Sequence, residues 1–195
     1  MIRMSLACAA AAALSLTPLA LAGKTFESVY TDLTYEADAG AKATCKGIEA
    51  DEESGSVLFE CKGYGGIKVY VAESDLRTFV GYGWNGRGEI AASQTFPVFN
   101  QVGDKIEWRL KDGKPVATIL RWKMQNEDHK GEVLVVTQLE EGNQCWIARV
   151  SAGMNKNANE LARQAADELA GTVSCDPGAM PKDYGAVDPG VMPAE

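Results

Sequence analysis

The sequence predicts an α+β domain: an antiparallel sheet or open barrel of about six to eight strands, with one C-terminal helix packed on it. Three observations carry that expectation. Short β-branched and aromatic segments separated by glycines fill residues 56–84, an Asp-Gly turn joins two long alternating segments at 105–124, and one capped stretch of helical periodicity follows at 157–171.

The chain alternates weakly from Phe26 to Tyr35, which reads as the start of a strand, and residues 36–44, rich in Ala, Gly and Asp, read as a loop. Ser56–Cys61 and Ile67–Ala72 are strand segments joined by Gly63-Tyr64-Gly65-Gly66, and Arg77–Trp84 continues as a third strand. In the next hairpin, Lys105–Leu110 and Pro115–Met124 flank Lys111-Asp112-Gly113-Lys114, and Asp-Gly is the strongest short-range turn signal a sequence offers. Pairing Leu110 with Pro115 places Ile106, Trp108, Leu110, Ala117 and Ile119 on one face as core, with Lys105, Glu107, Arg109 and Thr118 on the other. A further hairpin, Val133–Leu139 with Gln144–Val150, turns at residues 140–143.

Asn157 is the expected cap of the helix, Glu160 its capping-box partner and Gly171 its stop. Ala158, Leu161, Ala162, Ala165, Ala166 and Leu169 form a stripe of small apolar groups that can lie close on a sheet, while Arg163 and Asp167 are placed to pair on the wet side. Residues 176–195 hold four of the seven prolines and few large apolar groups, so they read as a disordered tail. The expected organisation is therefore a signal peptide over 1–22, a single domain over 23–175 and that tail.

The signal peptide is read from Met1-Ile2-Arg3, an apolar run from Leu6 to Leu16, and small residues at Ala20 and Ala22 before Gly23. A membrane span needs roughly 20 apolar residues, and Pro18 interrupts this run. Cys8 sits too early for lipoprotein processing. Cleavage would remove one cation, Arg3, and no acid, taking the formal charge from -8 to -9. So acidic a chain, with no later apolar run long enough to span a bilayer, is expected to be periplasmic or secreted and to bind no nucleic acid.

Four cysteines then remain: Cys45, Cys61, Cys145 and Cys175. An even number in an exported chain reads as disulfides, and proximity favours Cys45 with Cys61 and Cys145 with Cys175. A zinc site would want paired C-x2-C spacings, which are absent.

Motifs for catalysis are missing. Gly81-Tyr82-Gly83-Trp84-Asn85-Gly86 matches a dinucleotide fingerprint, but Arg87-Gly88-Glu89 continues a loop where that motif would open a helix. His129, the only histidine, lies in a polar stretch, and no G-x-S-x-G elbow accompanies it. The acids at 49 and 51–53 lack the alternating spacing of a calcium loop and read as a wet loop inside the first disulfide. No catalytic residue, metal or cofactor is therefore expected. Tyr82, Trp84 and Arg87, in a Gly-rich loop, combine the residue types that dominate recognition hot spots and are the expected partner-binding residues.

Cys61-Lys62-Gly63-Tyr64-Gly65-Gly66, Ser74-Asp75-Leu76-Arg77, Ala91-Ala92-Ser93-Gln94-Thr95, Ile106-Glu107-Trp108-Arg109, Leu134-Val135-Val136-Thr137 and Asn157-Ala158-Asn159-Glu160-Leu161-Ala162 together resemble a group of small exported bacterial proteins of unknown function. The resemblance implies a secreted, disulfide-bearing domain and carries no activity. The functional expectation is a noncatalytic binding or inhibitor-like module whose partner is an envelope protein or glycan. The alternative is a hydrolase acting on envelope glycan through two carboxylates.

Overall fold

The computed structural model describes residues 25–190 except Asn126 and Asp128; the expected signal peptide lies outside them. The fold is α+β, as the sequence predicts, but its ten strands form two sheets and no closed barrel among the described residues. The larger sheet runs in the order β1 (Phe26–Asp32), β6 (Phe99–Lys111), β7 (Lys114–Gln125), β8 (Lys130–Gln138), β9 (Trp146–Ser151) and β10 (Lys182–Asp183). The smaller is a meander of β2 (Cys45–Asp51), β3 (Ser56–Lys62), β4 (Lys68–Ser74) and β5 (Arg77–Tyr82). A one-turn helix, α1 (Glu36–Ala39), precedes β2, and α2 (Ala158–Leu169) follows β9.

The layers follow from two apolar cores. Val69, Val71, Val80 and Tyr82 of the meander meet Ile106, Trp108, Leu110, Leu120, Trp122 and Val135 of the large sheet. On that sheet's other face, Ala117, Ile119, Leu134, Val136, Ile147 and Val150 receive the small-residue stripe of α2. The large sheet is thus covered on both sides, and the meander on one.

A bulge corrects the expected face of the β6–β7 hairpin. Leu110 does pair with Pro115, but Arg109 pairs with Ala117, so Val116 is an extra residue. One added residue flips everything beyond it. Ala117 and Ile119 therefore face α2, while Leu120 and Trp122 join Ile106, Trp108 and Leu110.

Glu107 and Arg109 do lie opposite that core, yet they are buried under the helix. Arg163 and Asp167 consequently do not pair with each other. Arg163 Nε donates to Glu107 at 2.6 Å, while Arg109 donates to both oxygens of Asp167 at 2.9 and 2.6 Å. The Ser28 hydroxyl joins the two pairs, donating to Glu107 and accepting from Arg109 at 2.8 Å. Buried charges are tolerable when each is forked and hydrogen-bonded in this way.

Three further expectations change. Asn157 is the N-cap of α2, but its side chain makes no capping bond. The acids at 49–51 belong to strand β2, whose exposed residues pair only with β3, instead of a loop. Residues 176–190 are not loose: β10 adds parallel to β9, Arg149 grips Asp183 with bonds of 2.9 and 3.0 Å, and the buried Tyr184 donates to Glu168 at 2.9 Å. Asn155 and Ser151 bind the backbone at Ala186 and Asp188 as well, so a few polar contacts and one aromatic ring hold the segment without changing its composition. Among the described residues no helix is long and apolar enough to cross a membrane.

Candidate functional site

The meander is apolar on its inner face and partly apolar on its outer one. Its inner face supplies core, and by strand alternation Leu58, Tyr70, Ala72 and Phe79 stand on the outer one, where they floor a groove of about 710 Å³. Ile48, 42% exposed in the bulge of β2, borders it.

The loop after β5 folds back over this groove. Gly86 comes down on Gly81, where a Cβ would collide with the Gly86 carbonyl, so glycine is required for the close approach. Arg87 then reaches Glu49 on the opposite edge strand through bonds of 2.7 and 3.1 Å. The fork joins the two ends of the meander across its outer face. Both side chains are solvent-exposed, so this pair contributes little to stability and can open. On the same loop Trp84 is 89% exposed, so its ring is available to a partner.

No family model, no curated protein and no solved structure matches the chain.

The structure separates the three residues expected to bind a partner. Trp84 is available and Arg87 bridges the groove, but Tyr82 is a core residue, packed edge-on against Trp108 with ring centroids 5.9 Å apart. Burial raises its hydroxyl pKa well above the ordinary value. Alternation explains the split, since Tyr82 follows Val80 onto the inner face. Both expected disulfides form, Cys45 with Cys61 as register partners of β2 and β3, and Cys145 with Cys175 tying the start of β9 to the segment after α2. Such bonds belong to an oxidising compartment.

Sequence reasoning missed the groove floor. The signal was present in VLF, VYVA and TFVGY, which are apolar at consecutive positions. A strand that reads so is covered on both sides or leaves one apolar face open.

Two acids at the groove are engaged. Glu49 is held by Arg87, and the Ser54 hydroxyl and neighbouring backbone N–H groups hold Asp51 below the usual carboxylate range. His129, expected to be solvated, contacts Asp188 at 2.9 Å. No cluster of three or more potential metal-binding side chains occurs among the described residues.

Proposed function

We propose that this chain is an exported, noncatalytic binding or inhibitor-like module of the periplasm, one of the small exported bacterial proteins it resembles. It meets an envelope protein or glycan through the outer face of the meander and Trp84. The observation that carries this reading is a groove of about 710 Å³ with an apolar floor of Leu58, Tyr70, Ala72 and Phe79, bridged by an exposed ion pair on a loop that also carries a tryptophan 89% exposed. Aromatic and arginine anchors around an apolar centre are what recognition surfaces use. Hydrolysis is supported less well, because a general acid needs a raised carboxyl pKa, and Asp51 at the groove is shifted the other way.

The test is capture from envelope extract and co-sedimentation with cell-wall glycan, using the processed protein, Trp84→Ala and Leu58→Glu. Loss of the same partner from both variants is the expected result. Equal recovery of every partner by all three proteins would refute the reading.

A further inference from the structure

A second cleft, of about 650 Å³, meets the groove at Glu73 and lies where the β4–β5 turn approaches the start of β6, the end of β7 and the start of β8. Its volume falls within the roughly 300–1,000 Å³ typical of small-molecule sites. Two of the largest exposed apolar side chains of the protein line it, Leu76 at 70% and Phe99 at 54% exposure.

Leu76 is also in an unfavourable backbone conformation. The two-residue turn Asp75-Leu76 takes φ of 52° and 56°, the left-handed region that suits Asn-Gly or Asp-Gly and disfavours leucine. The turn is pinned, since the Asn100 N–H donates to the Leu76 carbonyl at 3.0 Å. That bond uses only backbone at position 76, so glycine would serve it equally and relieve the strain. A bulky apolar side chain therefore stands where glycine fits better, with most of its surface open to an outside contact.

Charge defines that contact. Two of the ion pairs at the cleft are internal, Arg77 with Asp75 at 2.8 Å and Arg121 with Glu132 at 2.7 Å. Lys123 and Lys130 remain, neither in an ion pair among the described residues. By register Phe99, Lys123 and Lys130 share one face: Phe99 and Lys130 both pair with Gln125, two residues from Lys123. The cleft also holds two carboxylates, Glu73 and the Glu132 that stands across from Lys123 and is held by Arg121, so its lining with these paired groups leaves one cation in excess at Lys123 and Lys130. An apolar pair beside that excess is complementary to an anion with a hydrocarbon body. The net charge of -8 opposes approach to an extended anionic bilayer. A single small anion meets mainly the two nearby lysines, because screening confines the remaining field to about 8–10 Å.

We propose that this cleft binds a free single-chain amphipathic carboxylate, its alkyl chain against Leu76 and Phe99 and its carboxylate at Lys123 and Lys130. The inference does not rest on the partner-binding reading, whose groove on the outer face of the meander meets this cleft only at Glu73.

The experiment is calorimetric titration of the full processed protein with sodium dodecanoate below its micellar range, and with dodecanol and phosphatidylglycerol vesicles as separate arms. Saturable one-site binding of dodecanoate is expected, with dodecanol and vesicles binding far less. Leu76→Gly is expected to stay folded and to weaken dodecanoate binding by about tenfold or more. The double variant Lys123→Gln/Lys130→Gln is expected to remove the preference for dodecanoate over dodecanol while keeping the thermal midpoint. No saturable dodecanoate binding by the unaltered protein, or undiminished binding by either variant, overturns the proposal. Recruitment by vesicles alone also overturns it, in favour of a membrane-surface role.

Discussion

Two hairpins of this molecule use the same two-residue turn and fill it differently. At the β6–β7 turn Asp112-Gly113 takes φ of 51° and 77°; at the β4–β5 turn Asp75-Leu76 takes 52° and 56°. The backbone requirement is the same, since both central residues must adopt positive φ to match the twist of the flanking strands. Only the first turn has the residue that meets it freely. The β6–β7 hairpin lies at the centre of the large sheet with both faces covered, and its turn serves the fold alone. The β4–β5 hairpin lies in the sheet with an uncovered face, and its turn carries a side chain the fold does not use. A strained residue thus stands in the turn beside an exposed cleft, and an unstrained one in the turn at the centre of the covered sheet.

The contrast is broken most severely from the core side. Trp108 of β6 is fully buried, packs against Tyr82 of β5 and donates from Nε1 to the Thr31 hydroxyl at 2.8 Å. Trp108→Ala should destabilise the protein by about 3–5 kcal/mol in denaturant titration, because a large cavity opens between the sheets. A loss below about 1 kcal/mol would mean that the sheets do not rely on one another.

Alkaline pH acts next, and on the meander side. Burial, and secondarily the nearby Glu73 carboxylate, push the Tyr35 hydroxyl up to about 12 from 10. Its folded pKa is raised, so the neutral phenol contributes stability that is fully present below pH 10 and lost as pH rises through about 12. Allowing for partial exposure, the loss from Tyr35 is about 2 kcal/mol. Tyr82 shifts in the same direction through burial. Unfolding midpoints measured from pH 9 to 12 should fall, and Tyr35→Phe should flatten the fall; an unchanged slope would remove Tyr35 from the account.

Legibility in the sequence follows the same division. Asp112-Gly113 announced its hairpin, the cysteine spacings announced both disulfides, and the alanine stripe announced α2 and the face it buries. These signals are local. What was hidden depends on a single residue or on distant partners: the extra Val116 that reverses the face of β7, the Glu107 and Arg109 carried under α2, and the Tyr184 that anchors an otherwise polar segment. At the candidate site Trp84 and Arg87 are visible as residue types, whereas the burial of Tyr82 follows only from strand alternation along β5. The Asp75-Leu76 turn left no mark, since leucine is not a residue that positive φ selects.

Exchanging the turn residues sharpens the comparison directly. Gly113→Leu puts a side chain at φ 77° in a turn that also bonds Thr25 through Asp112, and it should cost about 1–2 kcal/mol with no effect on ligand or partner binding. A neutral result, measured as the thermal midpoint, would show that the hairpin tolerates left-handed leucine and that Leu76 carries no strain either.

The reciprocal change is the smaller and the more informative. Leu76→Asn places at φ 56° a residue that accepts the left-handed region, without the unfolded-state entropy that glycine adds. The lost leucine is 70% exposed, so little apolar burial goes with it, and the Asn100 bond to the backbone carbonyl survives. Stability should therefore rise, by about 1 kcal/mol, seen as a higher midpoint in urea with an unchanged slope. A mutation that removes a large apolar side chain and stabilises the fold is the signature of a residue retained for something other than folding. Should Leu76→Asn destabilise instead, the leucine would be packing against the protein itself, and the two turns would differ in sequence without differing in purpose.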